Sequence, residues 1–160
     1  MPIRGFRVSF AVGMALVLGA AAPLTAAPMD DSAERAMRDA DLVAGTAAAR
    51  AGRYAAAIDL LQRVLASDAG NADAHSMLGF AYRKSGDLSV ARYHYQQALT
   101  LAPDHKGALE YYGEWHLQAG DVAGAERLRA RLAALCPAGC EELADLDAAL
   151  RAARAEKPAI

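Results

Sequence analysis

The sequence predicts an all-α fold, a solenoid of three helix pairs that ends in a capping helix. The first observation behind this prediction is a period of 34 residues, because the same small residues recur at that interval. The glycine columns are Gly45, Gly79, Gly113 and Gly52, Gly86, Gly120, and the alanine columns are Ala40, Ala74, Ala108 and Ala57, Ala91, Ala125. The second observation is the helical spacing of apolar residues within the periods. A period of this length indicates stacked repeats that bury a continuous core.

Each period divides at its second glycine into a helix, a tight turn and another helix. In the middle period, apolar spacing predicts helices over Ala72–Ser85 and Leu88–Leu101, with Gly86-Asp87 as the break. Gly79 and Ala91 allow these helices to approach closely, since larger side chains would hold the backbones apart. Three periods therefore predict three helix pairs.

The middle period also carries a specific sequence pattern. It has a large and then a small residue at Leu78-Gly79, aromatic residues at Tyr82 and Tyr95, alanines at Ala91 and Ala98, and a proline at Pro103. This pattern resembles the tetratricopeptide repeat, with His75 departing from it in the usual tryptophan slot. The resemblance implies a right-handed α-solenoid that presents a concave surface to a protein partner.

The outer periods resemble the same repeat less closely. The third keeps Tyr112-Gly113, Ala125 and Pro137 but has His116 and Arg129 in its aromatic slots. The first keeps Ala44-Gly45, Gly52, Ala57, Leu61 and Val64 but has Ala48 and Ala69 in the aromatic and proline slots. Terminal repeats are often atypical, because one face lacks a neighbour. The predicted repeats are 38–71, which is degenerate, 72–105 and 106–139.

Short segments flank the repeats. Residues 27–37 form an N-terminal extension whose acidic residues suit the start of a helix, so we expect it to lengthen the first helix. Residues 140–155 predict the capping helix, because Leu143, Leu146 and Leu150 fall on one stripe. Residues 156–160 are expected to be a disordered tail. The pattern predicts one repeat domain and no second one.

The beginning of the sequence has the layout of a secretory signal peptide. Arg4 and Arg7 precede an apolar run over residues 10–22, and small residues follow Pro23. We predict a signal peptide at 1–26, cleaved after Ala26, and a periplasmic or secreted protein. The alternative is an uncleaved membrane anchor, although the apolar run is shorter than the roughly 20 residues that a spanning helix needs.

The charge pattern argues against nucleic acid as a partner. The 17 basic and 19 acidic residues become 15 and 19 after signal cleavage, which leaves a net charge of about −4. A site for nucleic acid or an anionic membrane would favour a long run of basic residues, and this sequence has none. We therefore expect no nucleic-acid partner, and no membrane insertion once the signal is cleaved.

Cys136 and Cys140 are the two cysteines of the sequence. In an exported protein a close pair favours a structural disulfide, and Pro137 with Gly139 supplies a bend between them. Two alternatives stay open: a redox-active dithiol, and a copper site in which thiolates hold Cu(I). A copper site usually adds a histidine or methionine, which the neighbouring sequence does not supply. No metal site and no cofactor are predicted.

Sequence patterns of catalytic sites are missing. The sequence has no glycine-rich phosphate loop, no His-Glu-x-x-His and no serine in a nucleophile elbow. Glu110 and Glu114 stand one helical turn apart, as paired catalytic carboxylates can, but this spacing is more typical of a solvated face. His116 is expected to be a satisfied core histidine rather than a ligand. We predict that the protein is not an enzyme.

If the resemblance holds, the first helix of each pair lines the concave groove. The predicted groove residues are Leu42, Thr46, Arg50, Ser76, Phe80, Arg83, Lys84, Glu110, Glu114 and Gln118. Phe80 beside Arg83 and Lys84 suits a peptide that carries an acidic residue, and the alternative is an ordinary solvated face with Phe80 partly covered. Some tetratricopeptide proteins grip a carboxylate with asparagines, but Thr46, Phe80 and Glu114 occupy those slots.

These observations favour an exported, periplasmic adaptor that binds a peptide or protein segment in its concave groove and performs no chemistry. The alternative is a thiol-redox or copper-handling protein that uses Cys136 and Cys140 on the repeat scaffold. The partner is a protein or peptide whose identity the sequence does not specify.

Overall fold

The structure is a computed structural model that describes residues 31–155. This range holds seven α-helices and no strand. The helices are α1 (Asp31–Arg50), α2 (Tyr54–Ser67), α3 (Ala72–Ser85), α4 (Leu88–Leu101), α5 (Lys106–Gln118), α6 (Val122–Leu135) and α7 (Glu141–Ala155). The predicted signal peptide with its cleavage after Ala26, the start of the extension and the predicted tail at 156–160 lie outside the described residues.

The helices form three hairpins and a cap, which confirms the predicted all-α solenoid. α1 packs on α2, α3 on α4 and α5 on α6, while α7 packs on both helices of the last pair. The bounds predicted for the middle pair coincide with those of α3 and α4. The extension is helical from Asp31, where α1 begins. No helix within residues 31–155 has both the length and the apolar character needed to cross a bilayer.

The turn inside each hairpin depends on the second glycine column. Gly52, Gly86 and Gly120 have φ angles of 76°, 96° and 78°. This left-handed region is strained for residues with a Cβ, so glycine ends the first helix at low cost. The second helix of each hairpin, which is α2, α4 or α6, begins two residues after this glycine. The repeated glycine therefore sets the tight connection in all three hairpins.

The first glycine column permits close packing between helices. A Cβ added at Gly79 would lie 2.5 Å from Cε1 of Tyr95 on α4. A Cβ at Gly113 would lie 2.6 Å from Cδ1 of Leu146 on the capping helix. Only glycine leaves room for these side chains, since real Cβ atoms do not approach heavy atoms so closely.

Side-chain caps fix the beginnings of several helices. Asn71, Asp87 and Asp121 each accept a hydrogen bond from the backbone N–H three residues later, at 2.9, 3.2 and 2.8 Å. His105 caps α5 in the same way through Nδ1. Such bonds satisfy N–H groups that have no partner inside the helix. The caps place the start of α3, α4, α5 and α6 at a defined point of the repeat.

The buried core is continuous along the stack. One apolar cluster joins α1, α2 and α3, and a second joins α5, α6 and α7. Tyr95 of α4 is fully buried, and its ring stacks on Tyr112 of α5 at 5.5 Å between centroids. Of the predicted α7 stripe, Leu146 and Leu150 are buried and Leu143 is half-buried. The cap thus covers the end of the core, which would otherwise face water.

Candidate functional site

A groove runs along the face formed by the first helices of the pairs and the capping helix. Its volume is about 920 Å³. The helices are adjacent in order, because α1 packs on α3, α3 on α5 and α5 on α7. The residues that line it are Leu42, Val43, Thr46, Ala47, Arg50, Asp73, Ser76, Met77, His105, Gly107, Glu110, Tyr111, Glu141, Glu142 and Asp145. This surface is called the groove below.

Half of the residues expected in the groove are found there. Those that line it are Leu42, Thr46, Arg50, Ser76 and Glu110. The others lie beyond its lining residues, and they are Phe80, Arg83, Lys84, Glu114 and Gln118. The lining residues come from the N-terminal turns of α3 and α5 and from the C-terminal half of α1. The groove is therefore displaced toward one end of the first helices, where α7 joins it.

Arg83 is not a free cation, contrary to the expectation that it faces a partner. Its side chain is 6% exposed, and its guanidinium forms an ion pair with Glu114 of α5. Its Nε also donates a hydrogen bond to the hydroxyl of Tyr95 at 3.3 Å. The cation is buried only because both partners are in place. Arg83 thus joins neighbouring repeats.

Phe80 packs between repeats. Its ring lies 5.0 Å from that of Tyr111 on α5, and both rings pack against the core cluster of α1, α2 and α3. The Lys84 ammonium lies 5.6 Å from the Phe80 ring centroid and is exposed. The half-buried Phe80 ring is therefore better placed to pack one repeat on the next than to anchor a ligand. The expected combination of Phe80 with two free cations is therefore absent from the described residues.

Glu110 is buried, so the expected solvated pair of carboxylates is wrong. Glu110 is 7% exposed, and Glu114 is held by Arg83. Burial, together with the negative charges of Glu114, Asp145 and Glu142, raises the pKa of Glu110 to about 8, against the lowering effect of Arg83. Burial disfavours the charged form of a carboxyl group. In this groove Glu110 is mainly protonated at pH 7.

The hydroxyl group of Ser76 is buried and has no hydrogen-bond partner among the described residues. The Ser76 side chain is 1% exposed. Ser76 occupies the same repeat position on α3 that Glu110 occupies on α5, 34 residues later. Buried polar atoms are usually hydrogen-bonded, and an exception calls for an explanation. The period located Ser76 in the groove, but only the packing shows that its hydroxyl is unpartnered.

The groove is acidic, which the sequence pattern did not indicate. Its carboxyl-bearing lining residues are Asp73, Glu110, Glu141, Glu142 and Asp145, and the guanidinium among its lining residues belongs to Arg50. Nε2 of His105 lies 2.9 Å from Oδ1 of Asp73. Three of the carboxylates come from the capping helix, whose packing on α5 brings them to the groove. The acidic first turn of α7 is the sequence signal that could have found them.

The two cysteines lie between α6 and α7. Their sulfur atoms are at disulfide-bonding distance, with the Cα atoms 5.8 Å apart. Cys136 is buried at the end of α6, where its N–H donates to the carbonyl of Leu132 at 2.9 Å. Gly139, with a φ of 90°, turns the chain between the cysteines. In the described part of the chain no group of three or more metal-ligating side chains could hold an ion.

A pair of histidines, His75 buried and His94 half-buried, joins the two helices of the middle repeat. Nδ1 of His75 lies 3.0 Å from Nδ1 of His94, and the His94 ring stacks on Tyr82 at 5.6 Å. Burial, together with the charge of His75, lowers the pKa of His94 to about 4. Burial also lowers the pKa of His75. His75 stands at the position where the repeat usually has tryptophan, and the neutral pair fills the space of that larger side chain.

His116 has the satisfied surroundings that its register predicted. Its Nδ1 lies 2.9 Å from Oδ2 of Asp121, and its ring packs on Tyr112 at 4.6 Å between centroids. It is therefore a packing residue of the last repeat.

A second depression lies between α6 and α7 and has a volume of about 510 Å³. Four of its charged residues form pairs, Arg129 with Asp147 at 2.5 Å and Arg154 with Glu126 at 2.6 Å, and Arg151 also lines it. Both of its carboxylates already have a partner of opposite sign, whereas Glu110 in the groove forms no ion pair with any described residue. The groove is therefore the stronger candidate site.

Comparison with known families identifies the repeat. The sequence profile of the tetratricopeptide repeat matches residues 30–74, 42–105 and 76–139. A curated relative is the probable biofilm formation methyltransferase WspC of Pseudomonas putida, 37% identical over 94 residues, which are 58% of this chain and 22% of that protein. The chain thus spans about a fifth of the length of this relative.

Solved structures with the same fold include proteins of different roles. The first tetratricopeptide domain of Spaghetti (RPAP3), bound to an HSP90 peptide, matches with a TM-score of 0.63 and 20% identity over 73% of this chain and 93% of that one. The Yersinia enterocolitica type III secretion translocator chaperone SycD matches at 0.65 and 18%, covering 76% and 94%. A point mutant of MamA matches at 0.59 and 29%, covering 78% and 70%.

Proposed function

The chain belongs to the tetratricopeptide repeat family, and from this premise we propose that it is an adaptor that binds a segment of a partner protein in the groove. One observation carries the proposal: the groove, of about 920 Å³, extends across the first helix of every repeat and the cap. A concave groove of this size is typical of a ligand-binding site.

Related structures support this proposal by analogy. The tetratricopeptide domain of RPAP3 was solved with a bound HSP90 peptide, and SycD is a secretion translocator chaperone. The methyltransferase name of the WspC relative does not bear on the proposal, because the match covers 22% of that protein. The adaptor performs no chemistry of its own and binds no cofactor.

We propose that the protein is exported to the periplasm and that the cysteine pair is a structural disulfide there. The support is the signal-peptide layout of the sequence and the sulfur atoms at bonding distance. Disulfides persist in oxidising compartments. N-terminal sequencing of the protein from a periplasmic fraction tests the location. A chain that keeps its Met1 and stays with the cytoplasm or membranes contradicts it.

Photo-crosslinking in the producing cells tests the adaptor function. Ala47 is exposed and lines the groove, so a photo-reactive amino acid there should link to the bound segment. Asp59 on α2 is exposed and lies outside the groove, so the same amino acid there is the matched control. We expect one defined adduct from position 47 and none from position 59. Equal adducts from both positions, or none from position 47, would overturn the proposal.

A further inference from the structure

We propose that the groove receives a cationic side chain, the arginine or lysine of a bound segment, with Glu110 as its receptor. This inference rests on the proposed adaptor function and names the chemistry of the partner. It replaces the acidic peptide that the sequence favoured, because that expectation depended on a free Arg83.

The receptor group is the carboxyl group of Glu110. Glu110 on α5 lines the groove and is 7% exposed. Among the described residues no hydrogen bond or ion pair holds this carboxyl group, although the charges of neighbouring residues act on it. Ser76 holds the same position on α3, but its hydroxyl oxygen is fully buried and does not reach a bound segment. A guanidinium or ammonium group supplies the donors that a carboxylate can accept.

No cation within residues 31–155 forms an ion pair with Glu110. Arg83 on the adjacent helix α3 acts on Glu110, but it is held by Glu114 and the Tyr95 hydroxyl. Arg50 on α1 is exposed and interacts with the hydroxyl of Tyr111. A buried carboxyl group without a cation favours its protonated form, and a cation placed beside it favours ionisation and forms an ion pair with it. That cation can come from a bound segment.

The other carboxyl groups of the groove also favour a positively charged ligand group. Glu142 and Asp145 of α7 act on Glu110 from the cap, and Asp73 of α3 lines the same groove. A peptide carboxylate would meet repulsion from these groups, whereas a cation would meet attraction. A metal ion is disfavoured, since the described residues hold no cluster of three ligating groups. An organic cation is the chemistry that remains.

Binding of a cation is expected to release a proton. Glu110 has a pKa of about 8 in the groove, where burial and the charges of Glu114, Asp145 and Glu142 raise the pKa and Arg83 lowers it. A cation beside the carboxyl group favours its ionised form. Affinity should therefore rise with pH between about 6 and 9. Arginine is the suitable probe for this range, because its own charge does not change there.

A pair of blocked peptides provides the direct test. The probes are acetyl-Ala-Ala-Arg-Ala-Ala-amide and its citrulline counterpart, which has the same shape and no charge. Titration of the ¹⁵N-labelled protein, followed by NMR, gives the Kd and the residues affected. We expect saturable shifts at the amides of Ser76, Glu110 and Tyr111, with a Kd on the order of 1 mM. The citrulline peptide should bind at least about tenfold more weakly.

One variant and a control assign the effect. Glu110→Gln keeps the size of the side chain and cannot ionise, so we expect about tenfold weaker arginine binding and loss of the pH dependence. Glu126→Gln is the matched control, because Glu126 lies in the other depression, paired with Arg154. It should leave binding unchanged.

The outcomes separate this inference from the adaptor function. Equal binding of both peptides, or full affinity in Glu110→Gln, overturns the cationic receptor. Crosslinking from position 47 then still supports an adaptor that recognises its partner in another way. Absence of that crosslink, with arginine binding intact, overturns the adaptor and leaves only an isolated cation site.

Discussion

Arg83 of α3 and Glu114 of α5 form an ion pair that joins the second repeat to the third. The guanidinium is 6% exposed and the carboxylate 27% exposed. Arg83 also donates a hydrogen bond to Tyr95 of α4, so its side chain links α3 to two other helices. Removal of one partner of a buried pair leaves the other charge uncompensated, which costs far more than an exposed pair contributes. The pair therefore stabilises the junction between the repeats.

The first prediction concerns this pair. Glu114→Ala should lower the free energy of unfolding by about 2 kcal/mol, because Arg83 stays buried with only the Tyr95 hydroxyl as partner. The exposed pair of Glu126 and Arg154 is the control, and Glu126→Ala should cost less than about 1 kcal/mol. Urea unfolding followed by circular dichroism measures both. Equal losses for the two variants would show that burial of Arg83 does not matter.

The second prediction concerns the first glycine column. Gly79→Ala should destabilise the protein by about 2 kcal/mol, since the new Cβ would lie 2.5 Å from the Tyr95 ring. At Gly107, near the start of α5, the nearest atom to an added Cβ is 3.5 Å away. Gly107→Ala should therefore stabilise by about 0.5 to 1 kcal/mol through helix propensity. Thermal melting of both variants tests the prediction, which is wrong if the two changes have the same sign.

The repeat and its turns could be predicted from the sequence because backbone geometry depends on local residues. A glycine with positive φ at Gly86 and a small residue at Gly79 are needed wherever the hairpin forms, so they recur with the period. The resulting helices α3 and α4 have the predicted bounds. Periodicity thus determined the fold class and the face that lines the groove.

The charge of the groove could not be predicted in the same way, since it depends on contacts between distant segments. The repeat register predicted that Arg83 and Glu114 face a partner. In the structure they bind each other, although 31 positions separate them in the sequence. Glu142 and Asp145 join the groove only because α7 packs on α5. Pairing of side chains depends on the positions of neighbouring helices, which the repeat pattern does not specify. The two cations on which the expectation of an acidic partner relied are therefore not both free, since Arg83 is buried in an ion pair.

The third prediction concerns the histidine pair. His94 has a pKa of about 4 in the folded protein, against an ordinary 6.5. Between pH 6.5 and pH 4 the unfolded chain binds a proton that the folded chain does not, so the pair's contribution to stability is lost as the pH falls. His94→Phe keeps the ring against Tyr82 and removes this loss. Unfolding free energies across this range should fall less steeply in the variant. An NMR titration that gives His94 an unshifted pKa would contradict the argument.

The fourth prediction concerns the link between α6 and α7. Replacing the cysteines by Cys136→Ser and Cys140→Ser should lower the free energy of unfolding by about 2 kcal/mol, the loop-entropy value for so short a loop. Reduction of the wild-type protein should produce a loss of similar size. Thiol titration of the denatured protein provides the control and should find no free thiol before reduction. Two free thiols, or a loss of groove binding in a fully folded double variant, would contradict a structural role.

The last prediction concerns Glu110 in the groove. Its pKa is about 8 in the folded protein and ordinarily 4.5, so between these values the unfolded chain loses a proton that the folded chain keeps. Stability should therefore decline as pH rises from 4.5 to about 8, in the direction opposite to the histidine effect. Glu110→Gln should remove this decline, which makes the variant more stable than wild type at about pH 8 and equal to it at about pH 4. Glu126→Gln is the matched control and should keep the wild-type profile. Equal stability of Glu110→Gln and wild type at about pH 8 would mean that burial does not penalise the Glu110 charge, and the groove would then have no unmet need for a cation.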